Sequence, residues 1–213
     1  MPNSPTAPRV SAPDLPPVLE PREPARRADL LAAALELTGT ADLAYATLEQ
    51  CAVQADAESV DLTGATLLDV DLPEPRIAAL RLRNASIRRL RITGGRIGTL
   101  DLSDARVAEL ELRDVRIDYL NLGAARADDV DVVGCAIRTI DIPQAELTRV
   151  RFQATRSDEV DPRGLRAKDV DLRGLDALSY LDVQSLRGAT LSSVQVQQLA
   201  PVMATGLGII VTD

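Results

Sequence analysis

Histidine is absent from the 213 residues. With it go the commonest general base and the commonest metal ligand, so Ser-His-Asp and Cys-His chemistry are excluded. Aromatic residues are nearly absent: one Phe, three Tyr and no Trp. A globular core of this length ordinarily draws much of its buried area from rings. One built of Leu, Ile, Val and Ala implies narrow, regular packing. The two cysteines, Cys51 and Cys135, stand far apart, which leaves no CxxC redox or zinc pattern. Two free core thiols fit a reducing cytoplasm, the expected location. No apolar run is long enough to cross a membrane, and Met1 to Pro24 lacks the apolar stretch of a secretory signal. A net charge of -8 favours solubility and disfavours general nucleic-acid binding, so neither a membrane nor direct nucleic-acid contact is expected.

Residues 1–24 hold eight of the thirteen prolines and little that could form a core. They predict a disordered or extended tail. Residues 25–37 (ARRADLLAAALEL) are strong helix formers. Leu30, Leu31, Ala34 and Leu35 fall on one helical face, and Pro24 precedes them where a helix can begin. This predicts an N-terminal capping helix over 25–40.

The middle of the chain is periodic. Apolar residues recur at positions ending in 0, 2, 5 and 7: Leu80, Leu82, Ala85, Ile87, Leu90, Ile92, and so on to Ile140, Ile142, Ala145 and Leu147. That is a five-residue period with two inward positions, unlike the 3.6 of a helix or the 2 of a flat strand. A longer period lies over it. Ala65, Ala85, Ala105, Ala125 and Ala145 stand twenty apart, as do Ile77, Ile97, Ile117 and Ile137, and Leu62, Leu82, Leu102 and Leu122. Identical residues at that spacing imply stacking. Four pentapeptides make one square coil, with hydrogen bonds between coils and ladders of like side chains inside.

This pattern resembles the bacterial pentapeptide-repeat proteins, whose motif is A(D/N)LXX. Ala41-Asp42-Leu43, Val60-Asp61-Leu62-Thr63-Gly64, Leu100-Asp101-Leu102-Ser103-Asp104 and Val170-Asp171-Leu172-Arg173-Gly174 match it. The resemblance covers roughly residues 41–180 and implies an all-β, right-handed, quadrilateral parallel β-helix with short capping helices at its ends. About seven coils at ~4.8 Å give a rod of roughly 34 Å. The register slips by one residue between Cys51 and Val60, and the pattern weakens from Thr155 to Pro162, where a bulge or loop is expected. The domain reading is therefore a tail at 1–24, a capping helix at 25–40, the β-helix at 41–185 and a C-terminal cap at 186–213. Within that cap Ser192 to Ala204 is the candidate capping segment, broken or kinked by Pro201. The same surface offers a route to a homodimer.

Charge sits at the outward position before each central residue. Two opposite sides are mostly acidic: Asp61, Asp101, Asp141 and Asp161 on one, Asp71, Glu111, Asp131 and Asp171 on the other. The sides between carry Arg76, Arg96, Arg116 and Arg156, then Arg106, Arg126 and Arg166. The candidate partner surface is Asp101, Glu111, Asp131, Asp141, Arg76, Arg96 and Arg116. The competing reading is solubility with pairing between stacked coils, Arg81 between Asp61 and Asp101 and Arg91 between Asp71 and Glu111. Residues 76–96 hold seven arginines and no acid, spread over about one coil. Cys51 and Cys135 take the small inward position of their repeats and read as buried structural thiols. Asp128-Asp129 and Asp158-Glu159 read as exposed turns, and Gly94-Gly95 as a tight corner. No catalytic residue, cofactor or metal is expected.

Two functions stay open. One is a non-catalytic interaction scaffold with a protein partner. The other comes from a distant resemblance to the quinolone-resistance, gyrase-interacting members of the family, and implies an acidic rod that mimics DNA and binds DNA gyrase. The arginine belt at 76–96 argues against a uniform mimic of an anionic duplex.

Overall fold

In the computed structural model, which describes residues 4–210, the spacing of twenty is the hydrogen-bond register itself. Ile77 pairs with Ile97, Ile97 with Ile117 and Ile117 with Ile137, all in parallel. The chain winds as an all-parallel β-solenoid of about eight turns, and eighteen strands among the described residues join in one wound sheet. Each side turns two apolar residues inward. In Arg76–Arg81, for example, Ile77 and Leu80 are buried and their neighbours face out. The alanine column is buried throughout, Ala65, Ala85, Ala105, Ala125 and Ala145 all being at most 1% exposed.

The corners explain the five-residue period. Asp69, Asn84, Arg89, Asp104, Asp114, Asp129, Arg149 and Asp169 have φ between 54° and 58°, in the left-handed region. Asp and Asn tolerate that region because their short side chains bond locally. At Gly95 only glycine fits: a Cβ there would lie 2.2 Å from the Pro75 carbonyl oxygen. The tight corner read at Gly94-Gly95 is thus a close approach between successive coils.

Residues 25–40 correct the expectation of a helix. They form β2 (Asp29–Leu31) and most of β3 (Ala33–Asp42), which follow a short β1 (Glu20–Pro21) and pair with β4 (Thr47–Asp61). Leu30, Ala33, Leu35 and Leu37 are buried in an additional first coil, so the solenoid begins before residue 41. The physical reason is template against propensity. Helix propensities separate these residues by only a few tenths of a kcal/mol, and an isolated helix this short is marginal. The open edge of β4 offers a full ladder of hydrogen bonds instead. The offset here is short. Leu30 pairs with Leu48, eighteen residues on, Ala41 with Val60, nineteen on, and Ala57 with Ile77, twenty on. The slip near Asp56 is this change of register: Ala52 pairs with Asp71 but Asp56 with Arg76.

Two further expectations are corrected. Thr155–Asp161 is a regular strand rather than a bulge or loop, paired on both sides. Thr155 and Ser157 occupy inward positions and are buried. Their hydroxyls reach main-chain carbonyls, Thr155 Oγ1 donating toward Val132 and Gln153 oxygens and Ser157 Oγ toward Glu159 oxygen. That satisfies polar atoms where an aliphatic residue was expected. At the N-terminus the described part of the tail, residues 4–24, is extended and tied to the rod. Residues 1–3 lie outside the described residues, as do 211–213 of the C-terminal cap.

At the other end, a 3₁₀ turn at Val183–Leu186 is followed by helix α1 (Ser193–Gly206). Ser192 and Gln195 form a capping box, and Gln195 Nε2 also donates to the Leu172 and Leu175 carbonyls at 2.8 Å each. This pins α1 to the last coils. The helix runs through Pro201 rather than ending there, and none of its residues is fully buried. Only Leu199 packs partly against the core.

The stacked alanines generate a stability prediction. Ala105→Phe overpacks a column that has no room to expand, and is expected to cost ~1–3 kcal/mol, lowering Tm by roughly 2–12 °C. An unchanged thermal midpoint would mean that Ala105 does not face inward.

Candidate interaction surface

The solenoid interior is filled by the ladders, so chemistry has to be sought outside. Among the described residues no three or more Cys, Asp or Glu side chains are placed to hold a metal ion, and no helix is long and apolar enough to cross a membrane. Both cysteines are buried and unpaired with each other. Burial pushes the Cys51 thiol up and the Cys135 thiol up to about 11. Each Sγ points at main-chain carbonyls at 3.3–3.5 Å. A thiol kept protonated and enclosed is a poor nucleophile.

The two acidic columns form as spaced in the sequence. One runs Asp42, Asp61, Arg81, Asp101, Asn121, Asp141, Asp161. The other runs Asp71, Arg91, Glu111, Asp131, Arg151, Asp171. Their carboxylates are largely engaged. Arg91 grips Asp71 with two bonds of 2.8 and 2.9 Å, and Arg151 grips Asp131 at 2.8 and 3.1 Å. Arg113 pairs with Glu111 and Arg173 with Asp171, both at 2.6 Å. Asp101 accepts from Asn121 Nδ2 at 3.0 Å and from the Ser103 amide, while the Tyr119 hydroxyl donates to Asp141. Burial, and then that bond, push Tyr119 up to about 12. Arg81 lies in register between Asp61 and Asp101 but bonds Ser59 Oγ at 2.6 Å, so one of the two expected bridges forms and the other is replaced.

Sequence reasoning missed a second duty of these aspartates. Asp42, Asp61, Asp101, Asp161 and Asp171 each accept the amide two residues on. This turn-closing bond explains why Asp suits that position. The A(D/N)LXX pattern itself carries the signal, since Asn121 does the same with Gly123.

The arginine side is more open. Arg76, Arg96 and Arg116 are exposed and stack directly in successive coils. Arg96 pairs with Asp118 at 2.9 Å. Among the described residues Arg76, Arg116 and Arg156 make no ion pair. Small residues, Ala78 and Gly98, floor the face between them. Farther along, Arg116 and Arg156 border a groove that opens beneath Val194 and Val202 of α1. On the fourth side Arg126 and Arg166 both reach Glu146, at 3.3 and 2.6 Å.

A corner column completes the surface. Asp69, Arg89, Glu109, Asp129, Arg149 and Asp169 stand twenty apart. Arg89 Nη2 bonds Asp69 Oδ2 at 2.6 Å, while its Nε, equally close to Oδ1, points off-line. Arg149 is bidentate on Asp129 at 2.7 and 2.8 Å. The N-terminal tail lies on this corner. Thr6 N–H donates to Asp169 Oδ1 at 3.0 Å and Arg9 N–H to Asp129 Oδ1 at 2.9 Å. Ser11 N–H and Oγ donate to Glu109 Oε2 at 3.2 and 2.9 Å, and Asp14 N–H to Asp69 Oδ1 at 2.9 Å. Asp129, read from the sequence as an exposed turn, is thus a double acceptor. Its visible signal was the unbroken run of charged residues at a spacing of twenty from Asp69 to Asp169.

The C-terminal end exposes a set of apolar side chains: Leu178, Leu181, Val194, Val202, Leu207 and Ile210 are 48–87% exposed. They include residues of α1 and of the segments before and after it.

Three measurements check this description. Arg151→Met strips the partner from the nearly buried Asp131 and is expected to cost about 1–3 kcal/mol. Arg116→Ala, which breaks no ion pair, stays within about 0.5 kcal/mol. Equal urea midpoints for the two variants would contradict the assigned pairing. The folded carboxyls of Asp129, Asp161 and Asp171 are held below the ordinary Asp value, chiefly by Arg149, Arg163 and Arg173, with burial opposing. A depressed folded value means the stabilisation is complete above about pH 5 and is lost as pH falls below about 4, which a urea series between pH 7 and 2.5 reads directly. Native protein should also resist thiol reagents until it unfolds, and rapid labelling of Cys135 at pH 8 would overturn its enclosure.

No protein-family model matches the chain, and no curated protein sequence matches it. Among solved structures it is similar to two trypsin-treated forms of QnrB1, described as a plasmid-mediated fluoroquinolone resistance protein. One is 16% identical, with 90% of this chain and 97% of that chain covered and a TM-score of 0.30. The other is 14% identical, with 85% and 100% covered and a TM-score of 0.20. Both scores are low, and the architecture rests on the chain's own register. With five residues to a side, twenty to a coil and two inward apolar residues on each side, the chain has the architecture of a four-sided, all-parallel β-solenoid, as the resemblance in its sequence implies.

Proposed function

We propose that the chain is a non-catalytic scaffold that binds an acidic segment of a protein partner along its arginine face. One observation carries this reading: Arg76, Arg96 and Arg116 stack in adjacent coils with no carboxylate in their column between them. Like charges at a coil spacing of ~4.8 Å repel. Arg91 and Arg151 relieve it in the acidic column by bonding Asp71 and Asp131. Here Asp118 pairs with Arg96 from the side and Asp56 lies in register below Arg76, while Arg76 and Arg116 make no ion pair among the described residues. A partner carboxylate or phosphate at Arg76 and at Arg116 would supply the counter-charge that Asp118 gives Arg96, with the planar fork of each arginine suited to bidentate contact. The small-residue floor lets an extended segment approach closely.

Joining of two copies belongs to the same proposal. The exposed apolar set around α1 is a candidate dimer contact, since contiguous exposed apolar surface marks interaction sites. In sedimentation, Leu207→Asp with Ile210→Asp is expected to shift a dimer to monomer. A wild-type chain that stays monomeric at high micromolar concentration removes this part.

The reading as a gyrase-directed DNA mimic has less support. Its acidic columns are interrupted by Arg81, Arg91 and Arg151, and their carboxylates are engaged by arginines or by turn amides. An uncompensated phosphate-like line is what such a mimic needs. Two assays separate the readings. The scaffold predicts salt-sensitive retention of an acidic partner that is lost in the Arg76→Ala, Arg96→Ala, Arg116→Ala triple variant, and supercoiling left unaffected at micromolar protein. A potent block of gyrase that weakens with Asp101→Asn, Glu111→Gln, Asp131→Asn and Asp141→Asn reverses the order.

A further inference from the structure

The N-terminal tail is built to fit the corner it lies on. Its donors are Thr6, Arg9, Ser11 and Asp14, and three of the four directly follow a proline, namely Pro5, Pro8 and Pro13. Proline holds φ near −65° and lacks its own N–H, so it favours an extended left-handed helix and leaves the next amide free to point outward. Over residues 5–16 the half-buried positions are Pro5, Pro8, Val10, Pro13, Leu15 and Pro16. From Pro5 to Leu15 they alternate with the exposed donors at steps of two to three residues, close to the three-residue repeat of a polyproline helix.

The lengths agree as well. From Thr6 to Asp14 is eight steps, about 25 Å at ~3.1 Å per residue. From Asp169 down to Asp69 is five coils, about 24 Å at ~4.8 Å per coil. The tail therefore keeps phase with the carboxylates over the whole run, antiparallel to the growth of the rod. At its lower end Gln50 Nε2 donates back to the Asp14 carbonyl at 3.0 Å.

We propose that this corner is a peptide-docking site for an extended, proline-spaced segment that offers main-chain N–H groups to Asp69, Glu109, Asp129 and Asp169, and that the chain's own residues 5–15 fill it as a displaceable strap. The charges are arranged for that purpose. Arg89 and Arg149 bond two of the acids and fix their side chains, leaving oxygens aimed at the strap. The recognition is mainly through the backbone, with one side-chain bond from Ser11 Oγ to Glu109, so a segment with the same proline spacing and other side chains keeps all four main-chain bonds. No strap donor is itself buried, and three of the four donors make a single bond each; only Asp69 among the acceptors is buried and only Ser11 is held twice. A held but releasable segment follows. The site is independent of the arginine face, so it stands if that reading fails.

The test uses the full chain. Arg9→Pro with Ser11→Pro removes two of the four amide donors without touching the solenoid. In this variant the amides of Thr6 and Asp14 are expected to lose their exchange protection, with the far-ultraviolet spectrum unchanged. A fluorescent peptide with the sequence of residues 4–18 should then bind the variant at least tenfold more tightly than it binds the wild-type chain, whose site is occupied. Adding Glu109→Ala and Asp129→Ala should weaken peptide binding at least tenfold. A strap that stays protected after losing both donors would overturn the role of the carboxylates. A released strap with no peptide binding, or peptide binding indifferent to Glu109 and Asp129, would show that the corner is not a docking site.

Discussion

Every coil of this protein is satisfied only by the coils above and below it. In a parallel ladder the backbone of one turn donates to the next, so the rise and the register are set by hydrogen bonding and the side chains must follow. With twenty residues per turn, whatever occupies one position faces the residue twenty places on. That constraint makes the interior a set of columns, Ala on Ala and Ile on Ile, and it makes the exterior a set of columns too. A core substitution is therefore felt along a column rather than within a globule, and a surface charge is read against its two vertical neighbours.

The exterior columns show how strongly this matters. Where Asp71, Glu111, Asp131 and Asp171 recur, Arg91 and Arg151 interleave and bond downward to Asp71 and Asp131. The same happens at the corner with Arg89 and Arg149. Alternation turns an otherwise repulsive stack into a chain of ion pairs that are half shielded from solvent. The alternation is partial: Glu111 on Asp131, Asp141 on Asp161 and Arg106 on Arg126 are like-charged neighbours, as are Arg76, Arg96 and Arg116. The last of these columns is exposed, with Arg96 held by Asp118 while Arg76 and Arg116 make no ion pair among the described residues.

Much of this was legible from the residues. The columns at Ile77, Ile97, Ile117 and Ile137 place the coil directly, and the acidic and basic sides follow from the same count. The first coil was hidden for two reasons. Its offsets are eighteen and nineteen, so it falls out of a search at twenty, and ARRADLLAAALEL is composed of helix formers. Only the neighbouring strand edge tells against the helix, and that is a tertiary fact. Thr155 and Ser157 misled in the opposite direction, since hydroxyls at inward positions look like a break until their carbonyl partners are seen. Of the candidate surface, the positions were readable but the pairing was not. Whether Arg81 bonds Asp101 or Ser59 depends on side-chain reach within a fixed register.

The tail was the least legible part, and the reason is instructive. Its composition correctly signals that it has no core of its own, and from that it is a short step to disorder. The step fails because a chain without a core can borrow acceptors from a surface that already exists. An ordering cost of about 1–2 kcal/mol per residue is lowered where prolines restrict the free chain beforehand, and a regular solenoid presents acceptors at a constant interval that a regular extended helix can match. Five coils and eight residues coincide to within about 1 Å by the two rises. Any β-solenoid with a charged corner column offers such a ruler, and proline spacing is the feature by which a segment can be cut to it.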